Sequence, residues 1–218
     1  MQDNRYRTTC QLEEVIGAMN DKTAESEKKE VIITGFGGQG IVLAGSILGK
    51  AAALGDHLES TLVQSYGPES RGGACSAQVV ISTGTIHYPY IKTPDVLVCM
   101  SQSAYEKYVD SLKPEGILLL DQDLVRPKGK KKDFFSIPAT RMAEELGRTM
   151  MANIIMIGFL TAITRIVSTD AARSSIMESV PKGTEEMNTK AFEKGFDYGL
   201  AILKGRQKKA AGQVGAIS

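Results

Sequence analysis

The feature that most constrains this chain is a β-branched run, Val31-Ile32-Ile33-Thr34, followed at once by Gly35-Phe36-Gly37-Gly38-Gln39-Gly40 and then by the Ala- and Leu-rich stretch from Ile41 to Leu54. A short apolar run ending in glycines reads as a buried strand and the longer stretch as a helix, so residues 31–54 form one strand–turn–helix unit. Gly55-Asp56 ends the helix, and residues 57–64 (HLESTLVQ) supply a second strand. The unit is βαβ, which implies a parallel sheet and a right-handed crossover.

Later segments extend that sheet. Ser76–Ser82 and Thr85–Tyr90 read as two strands joined across Thr83-Gly84, a connection that suits an antiparallel hairpin and predicts a mixed sheet. Asp95–Met100 and Gly116–Leu120 are further buried strands, the first followed by a helix with Ser101 or Ser103 as its N-cap. Phe134–Ile137 is a candidate edge strand, and helices are expected at about 139–147, 149–166, 170–179 and 188–204. The alternation gives an α/β fold: a Rossmann-like layered architecture with a mostly parallel, partly mixed sheet and additional C-terminal helices. The expected organisation is a polar N-terminal leader over 1–29, one domain over 30–205 and a loose tail over 206–218.

Composition narrows the function. The 218 residues suit one medium domain, and 26 Lys plus Arg against 25 Asp plus Glu leave a net charge of +1. That balance provides no broad field for nucleic acid or an anionic membrane, so any anion site must be local. The most apolar stretch, Met150–Ile163, is broken by Asn153, Gly158 and Thr161 and falls short of the roughly 20 residues of a membrane span, so it reads as a buried helix. Cys10, Cys75 and Cys99 show no metal-ligand spacing, which argues against a disulfide framework, a structural zinc or a protein-held iron–sulfur cluster. With no secretory signal either, the expected setting is the reducing cytoplasm.

Chemistry in such sheets sits beyond the carboxyl ends of the strands. Gly35, Gly37 and Gly40 satisfy GxGxxG in the strand-to-helix context, with Gly38 and Gln39 completing the turn. One reading is a dinucleotide site, which would place an acidic residue at the end of the second strand. That end reads Gln64-Ser65, and Glu59 lies at the strand's start. The other reading is that the glycines only permit tight strand–helix packing. A second glycine-bearing loop, Ser65–Gly73, leaves the same sheet edge, with Tyr66, Gly67, Glu69, Ser70 and Arg71 beside Gly72-Gly73. Arg71 could hold a carboxylate or phosphate bidentately, or pair with Glu69 or Asp95. Asp121 and Asp123 read as turn or cap residues, Cys75 and Cys99 as small buried hydrophobes, and Lys128–Lys132 as a solvated basic loop that could also dock an acidic partner or nucleotide phosphates. No catalytic residue is evident: His57 and His87 have no triad partners, and no serine lies in a nucleophile elbow.

At GFGGQGIVLAG and QSYGPESRGGACSAQVVIS the sequence resembles the gamma subunit of the 2-oxoacid:ferredoxin oxidoreductases, the pyruvate/ketoisovalerate oxidoreductase catalytic domain. PDVLVCMSQSAYEKY, IPATRMAEELG and MANIIMIGFL extend the resemblance to about 31–204, and SYGPESRGG is most like the 2-oxoglutarate branch, with 2-ketoisovalerate and pyruvate as alternatives. The resemblance implies one subunit, inactive alone, of an enzyme that converts a 2-oxoacid and coenzyme A to acyl-CoA and CO₂ with electrons passed to ferredoxin. It implies alpha, beta and in some cases delta partner subunits that hold thiamine diphosphate, Mg²⁺ and 4Fe-4S clusters. It further implies that Gly35–Gly40 and Tyr66–Gly73 shape the approach of coenzyme A. A purely structural subunit or a stand-alone dinucleotide-binding reductase are the readings of other classes.

Overall fold

The computed structural model describes residues 27–66, 74–128 and 133–214. The elements are β1 (Lys28–Phe36), α1 (Ile41–Lys50, prolonged by a π-helical turn over Ala51–Gly55), β2 (Glu59–Tyr66), β3 (Ala74–Ser82), β4 (Val96–Cys99), α2 (Gln102–Tyr108), β5 (Ile117–Asp121), β6 (Phe134–Ile137), α3 (Ala139–Glu145), α4 (Ala152–Thr164), α5 (Thr169–Ser179) and α6 (Glu185–Val214). One six-stranded sheet runs in the order β2-β3-β1-β4-β5-β6. β1, β4, β5 and β6 are mutually parallel, and β3 lies antiparallel between β1 and β2. The sheet is thus mostly parallel and partly mixed.

Strand β1 over Val31–Ile33 and β4 over its whole length are apolar and buried, the pattern of strands covered on both faces. On one face, Ile41, Ala44, Ile47, Leu48 and Ala51 recur at helical spacing and press α1 onto the sheet beside α4. Helix α4 is buried over nearly its whole length, since α6 covers the side turned away from the sheet. Gly158 and Gly195 make that crossing close: a Cβ on either would overlap the backbone of the facing helix, at Phe192 and Ile155 respectively. The other face carries a smaller core of Ile32, Val80, Ile91, Leu97, Tyr105 and Leu120 under the single short helix α2. Among the described residues no helix is long and apolar enough to cross a membrane.

Three expectations change. Thr85–Tyr90 is not a strand; β3 already has β1 on one side and β2 on the other, so no edge is left for a hairpin partner, and Pro89 lacks a ladder N–H. The segment instead crosses the α2 face, where the Ile91 N–H donates to Gln78 Oε1 at 2.9 Å. The first βαβ unit is parallel in direction, but its two strands are separated by β3 rather than adjacent. Finally, α6 continues to Val214 beyond the helix end expected at 204: Arg206 lies 3.8 Å over the Phe135 ring and donates to the Phe134 carbonyl at 2.6 Å, tying this turn to β6. Strand β1 begins at Lys28, just inside the stretch read as leader; residues 1–26 and 215–218 lie outside the described residues.

Candidate functional site

The turn after β1 is built by two side chains distant in sequence. Gln39 folds back under it: Oε1 accepts the Phe36 N–H at 2.9 Å and Nε2 donates to the Met100 carbonyl, at the end of β4, at 2.8 Å. The Met100 N–H in turn donates to the Thr34 carbonyl at 2.8 Å, so the loops after β1 and β4 are laced together. Asn153, near the start of α4 and almost fully buried, donates from Nδ2 to the Gly40 carbonyl at 3.1 Å. Gly40 has φ 73°, the left-handed region, where glycine carries no steric cost. Both polar atoms of the Gln39 side-chain amide are therefore turned inward, and its part in the site is to shape the turn.

The crest of the turn is different in kind. Among the described residues no heavy atom lies within 4 Å of where a Cβ on Gly37 or Gly38 would stand, and Gly38 has φ 101°. Helix α1 begins just behind with no side-chain cap, so its first-turn N–H groups and dipole end face this crest. Backbone that a ligand can approach without meeting a side chain, at an uncapped helix start, suits a phosphate or carboxylate. Beside the crest a cleft of about 560 Å³ runs from Gly40 past Leu43, Met151, Asn153 and Pro181, with Arg148 exposed at its rim. A second large cavity, about 670 Å³, lies at the opposite end of the strands among Asp95, Lys113 and Arg165.

The second loop leaves the sheet level with the first. Gly35 is in register with Cys75, and Cys75 with Tyr66, so the end of β2 stands two strands from the start of the glycine turn, about 10 Å away. Tyr66 is placed by its backbone; Gly67, Ser70, Arg71, Gly72 and Gly73, together with Glu69 and Lys130–Lys132 of the basic run, lie outside the described residues. The alternative partner considered for Arg71, Asp95, accepts from Lys113 Nζ at 2.8 Å and from the Glu30 N–H at 2.8 Å at the far end of the strands. Glu59 is also at that far end, opposite Ser82 and hence level with Lys28, which removes it as a ribose ligand near the turn.

The remaining candidates take structural places. Ser101 caps α2, accepting the Ala104 N–H at 3.2 Å. Asp121, wholly buried, caps the start of α3: it accepts from Thr140 Oγ1 at 2.6 Å, from the Thr140 N–H at 3.0 Å and from the Asp123 N–H at 3.0 Å. Burial holds its carboxyl above the ordinary aspartate range against the opposing pull of those hydrogen bonds. Asp123 pairs with Arg141 at 3.5 Å, and Lys128 of the basic run with Glu106 at 2.8 Å. Cys75 and Cys99 are buried; burial pushes the Cys99 thiol up to about 12, which makes it inert as a nucleophile or ligand near neutral pH. Among the described residues no three His, Cys, Asp or Glu side chains are placed to hold a metal ion, so the residues in view do not form an iron–sulfur or Mg²⁺ site. Asn153 is a turn-shaping residue that the sequence alone does not single out. Its one signal in the sequence is a lone amide inside an otherwise apolar stretch, which there reads only as a break in a run too short to span a membrane.

Comparison with known proteins bears on the whole of this arrangement. The family model described as pyruvate ferredoxin/flavodoxin oxidoreductase matches residues 30–198. The chain is 52% identical over 174 residues to the 2-oxoglutarate synthase subunit KorC of Methanocaldococcus jannaschii, covering 78% of this chain and 93% of that protein. It is 50% identical over 188 residues to the subunit of the same name from Methanothermobacter marburgensis, covering 83% of this chain and all of that one (100%). Among solved structures, the gamma subunit of a keto/oxoacid ferredoxin oxidoreductase from Geobacter sulfurreducens superimposes with a TM-score of 0.71 at 38% identity, covering 79% of this chain and 99% of that one. Sequence, length and fold agree, and the chain belongs to the pyruvate ferredoxin/flavodoxin oxidoreductase family.

Proposed function

We propose that this chain is the gamma subunit of a cytoplasmic, multisubunit 2-oxoacid:ferredoxin oxidoreductase whose substrate is 2-oxoglutarate, oxidised and decarboxylated with coenzyme A to succinyl-CoA and CO₂ while two electrons leave to ferredoxin. The observation that carries the reading is identity of half or more, over nearly the full length of the relatives, with subunits named for 2-oxoglutarate synthase; relatives named for ketoisovalerate and pyruvate are about 30% identical. Thiamine diphosphate with Mg²⁺, and 4Fe-4S clusters, supply the decarboxylation and electron-transfer chemistry, and in this reading the alpha, beta and, where present, delta subunits hold them.

The part left to this chain is binding and orientation. Gly37 and Gly38 let main chain approach the phosphates of coenzyme A, the uncapped start of α1 favours their charge, and Gln39 and Asn153 keep the turn from closing. Arg71, with Tyr66, Gly67, Ser70, Gly72 and Gly73, completes the anion-binding edge in this proposal. The test is to isolate the native complex through a tag on this chain and follow viologen reduction anaerobically with 2-oxoglutarate, 2-ketoisovalerate and pyruvate side by side. Turnover fastest with 2-oxoglutarate is expected. A higher kcat/KM for either other acid would reassign the substrate, and an Arg71→Ala complex with unchanged KM for coenzyme A would remove that residue from the site and favour a structural role for the loop.

A further inference from the structure

The cleft beside the glycine turn is lined mostly by apolar side chains, with a few polar groups set among them. It opens at Gly40, the residue before α1, and is bounded by the start of α4 and by the α5–α6 connection, with Leu43, Met151, Ile154, Val180 and Pro181 as its apolar lining. Two asparagines also line it, and they are used differently. Asn153 is committed to the fold: Nδ2 donates to the Gly40 carbonyl and Oδ1 accepts the Ile154 N–H. Asn188, 8% exposed, donates from Nδ2 to the Thr184 carbonyl at 2.9 Å and to its hydroxyl at 3.0 Å. Those bonds fix which way the amide faces and leave Oδ1 with no donor among the described residues. At the rim Arg148 is exposed, and among the described residues its guanidinium makes no hydrogen bond or ion pair, not even with Glu144 on the same rim.

We infer that this cleft holds the adenosine end of coenzyme A, with the 3′-phosphate on Arg148 and the adenine between the apolar walls, its amino group donating to Asn188 Oδ1. The inference rests on the function proposed above. With the pyrophosphate at the crest and the uncapped start of α1, one arm of the cosubstrate enters the cleft, which is continuous with that turn at Gly40. The pantetheine arm carries no charge for an arginine to meet. The adenosine arm carries a phosphate, which a planar guanidinium grips in bidentate fashion, and a flat base whose faces need apolar cover while its edge offers an N–H donor. Met150, 67% exposed at the mouth, is a flexible apolar side chain of the kind that folds over such a base. The thiol end is then free to extend away from this chain, toward the subunits that hold thiamine diphosphate in the proposed complex.

The test compares three cosubstrates in the assembled complex: coenzyme A, 3′-dephospho-coenzyme A, and ethenocoenzyme A, in which the adenine amino group is tied into a ring. Wild type should show a KM raised about tenfold for the dephospho form and several-fold for the etheno form. Arg148→Ala, at an exposed position with no partner to strand, should raise the KM for coenzyme A about tenfold and leave that for the dephospho form where it was, with Arg148→Lys in between. An equal rise for both forms would put the pantetheine arm in the cleft and overturn the assignment. A shift in the KM for the 2-oxoacid alone would overturn it by giving Arg148 to that substrate's carboxylate, and no shift in any KM would overturn it by leaving the cleft without a ligand. Wild-type turnover that does not depend on coenzyme A would take down the proposed function itself, and this inference with it.

Discussion

Gly35 and Gly40, at the two roots of the turn after β1, have no room for a methyl group, whereas Gly37 and Gly38, at its crest, meet open space among the described residues. One motif therefore contains two kinds of glycine. The roots are sealed against Gln39, Ile41 and Asn153, and their smallness serves packing. At the crest the missing side chain leaves main chain bare to an incoming group. Of the two readings of GxGxxG, tight packing is realised at the roots, while the crest has the bare backbone that ligand approach would need, and substitutions can separate the two.

Gly40→Ala should be the most damaging change. A methyl group there meets the Asn153 amide, and φ 73° is itself unfavourable for an L-residue, so the isolated chain should lose about 3 kcal/mol in denaturant unfolding. The double variant Gly40→Ala/Asn153→Ala should lose at least about 1 kcal/mol less than the sum of the two singles, because truncating Asn153 vacates the space the methyl needs. Strict additivity would mean that Asn153 is not what seals this root. Gly35→Ala comes next, at about 2 kcal/mol, since its backbone is ordinary extended strand and only the crowding against Gln39 and Ile41 counts.

Gln39→Ala should cost about 1 kcal/mol, the net worth of its hydrogen bonds, with the Phe36 N–H able to turn to water and the Met100 carbonyl losing its donor. It sharpens the comparison through a second readout. If Gln39 shapes the crest from beneath, the assembled enzyme should lose affinity for coenzyme A in proportion to the loosened turn; if Gln39 itself touched the ligand, the loss in KM would far exceed the loss in stability.

Sequence patterns are local, and their reach here follows from that. The β1–turn–α1 unit, β4, β5, the buried α4 and the Ser101 cap were legible because each is encoded by neighbouring residues. Strand order was not: Thr83-Gly84 has the composition of a hairpin turn, and nothing nearby records that β3 is already flanked by β1 and β2. The contacts that give the turn its shape were hidden for the same reason, since Gln39 reaches 61 residues along the chain to Met100 and Asn153 reaches 113 residues back to Gly40. The glycines announced a turn, while the distinction between sealed and open ones arises only once those partners arrive.

Gly37→Ala is the smallest perturbation and the most direct test of the crest. With none of the described residues within 4 Å of the new methyl and an exposed position, stability should stay within about 0.5 kcal/mol of wild type. A ligand that packs its phosphates on this backbone would nevertheless meet the methyl group at van der Waals range. The assembled enzyme should then show a KM for coenzyme A raised several-fold, with kcat and the KM for the 2-oxoacid unchanged, because the methyl stands in the path of one substrate only. An unchanged KM for coenzyme A beside unchanged stability would leave the crest glycines without a ligand, and the turn would be a packing device at its crest as well as at its roots.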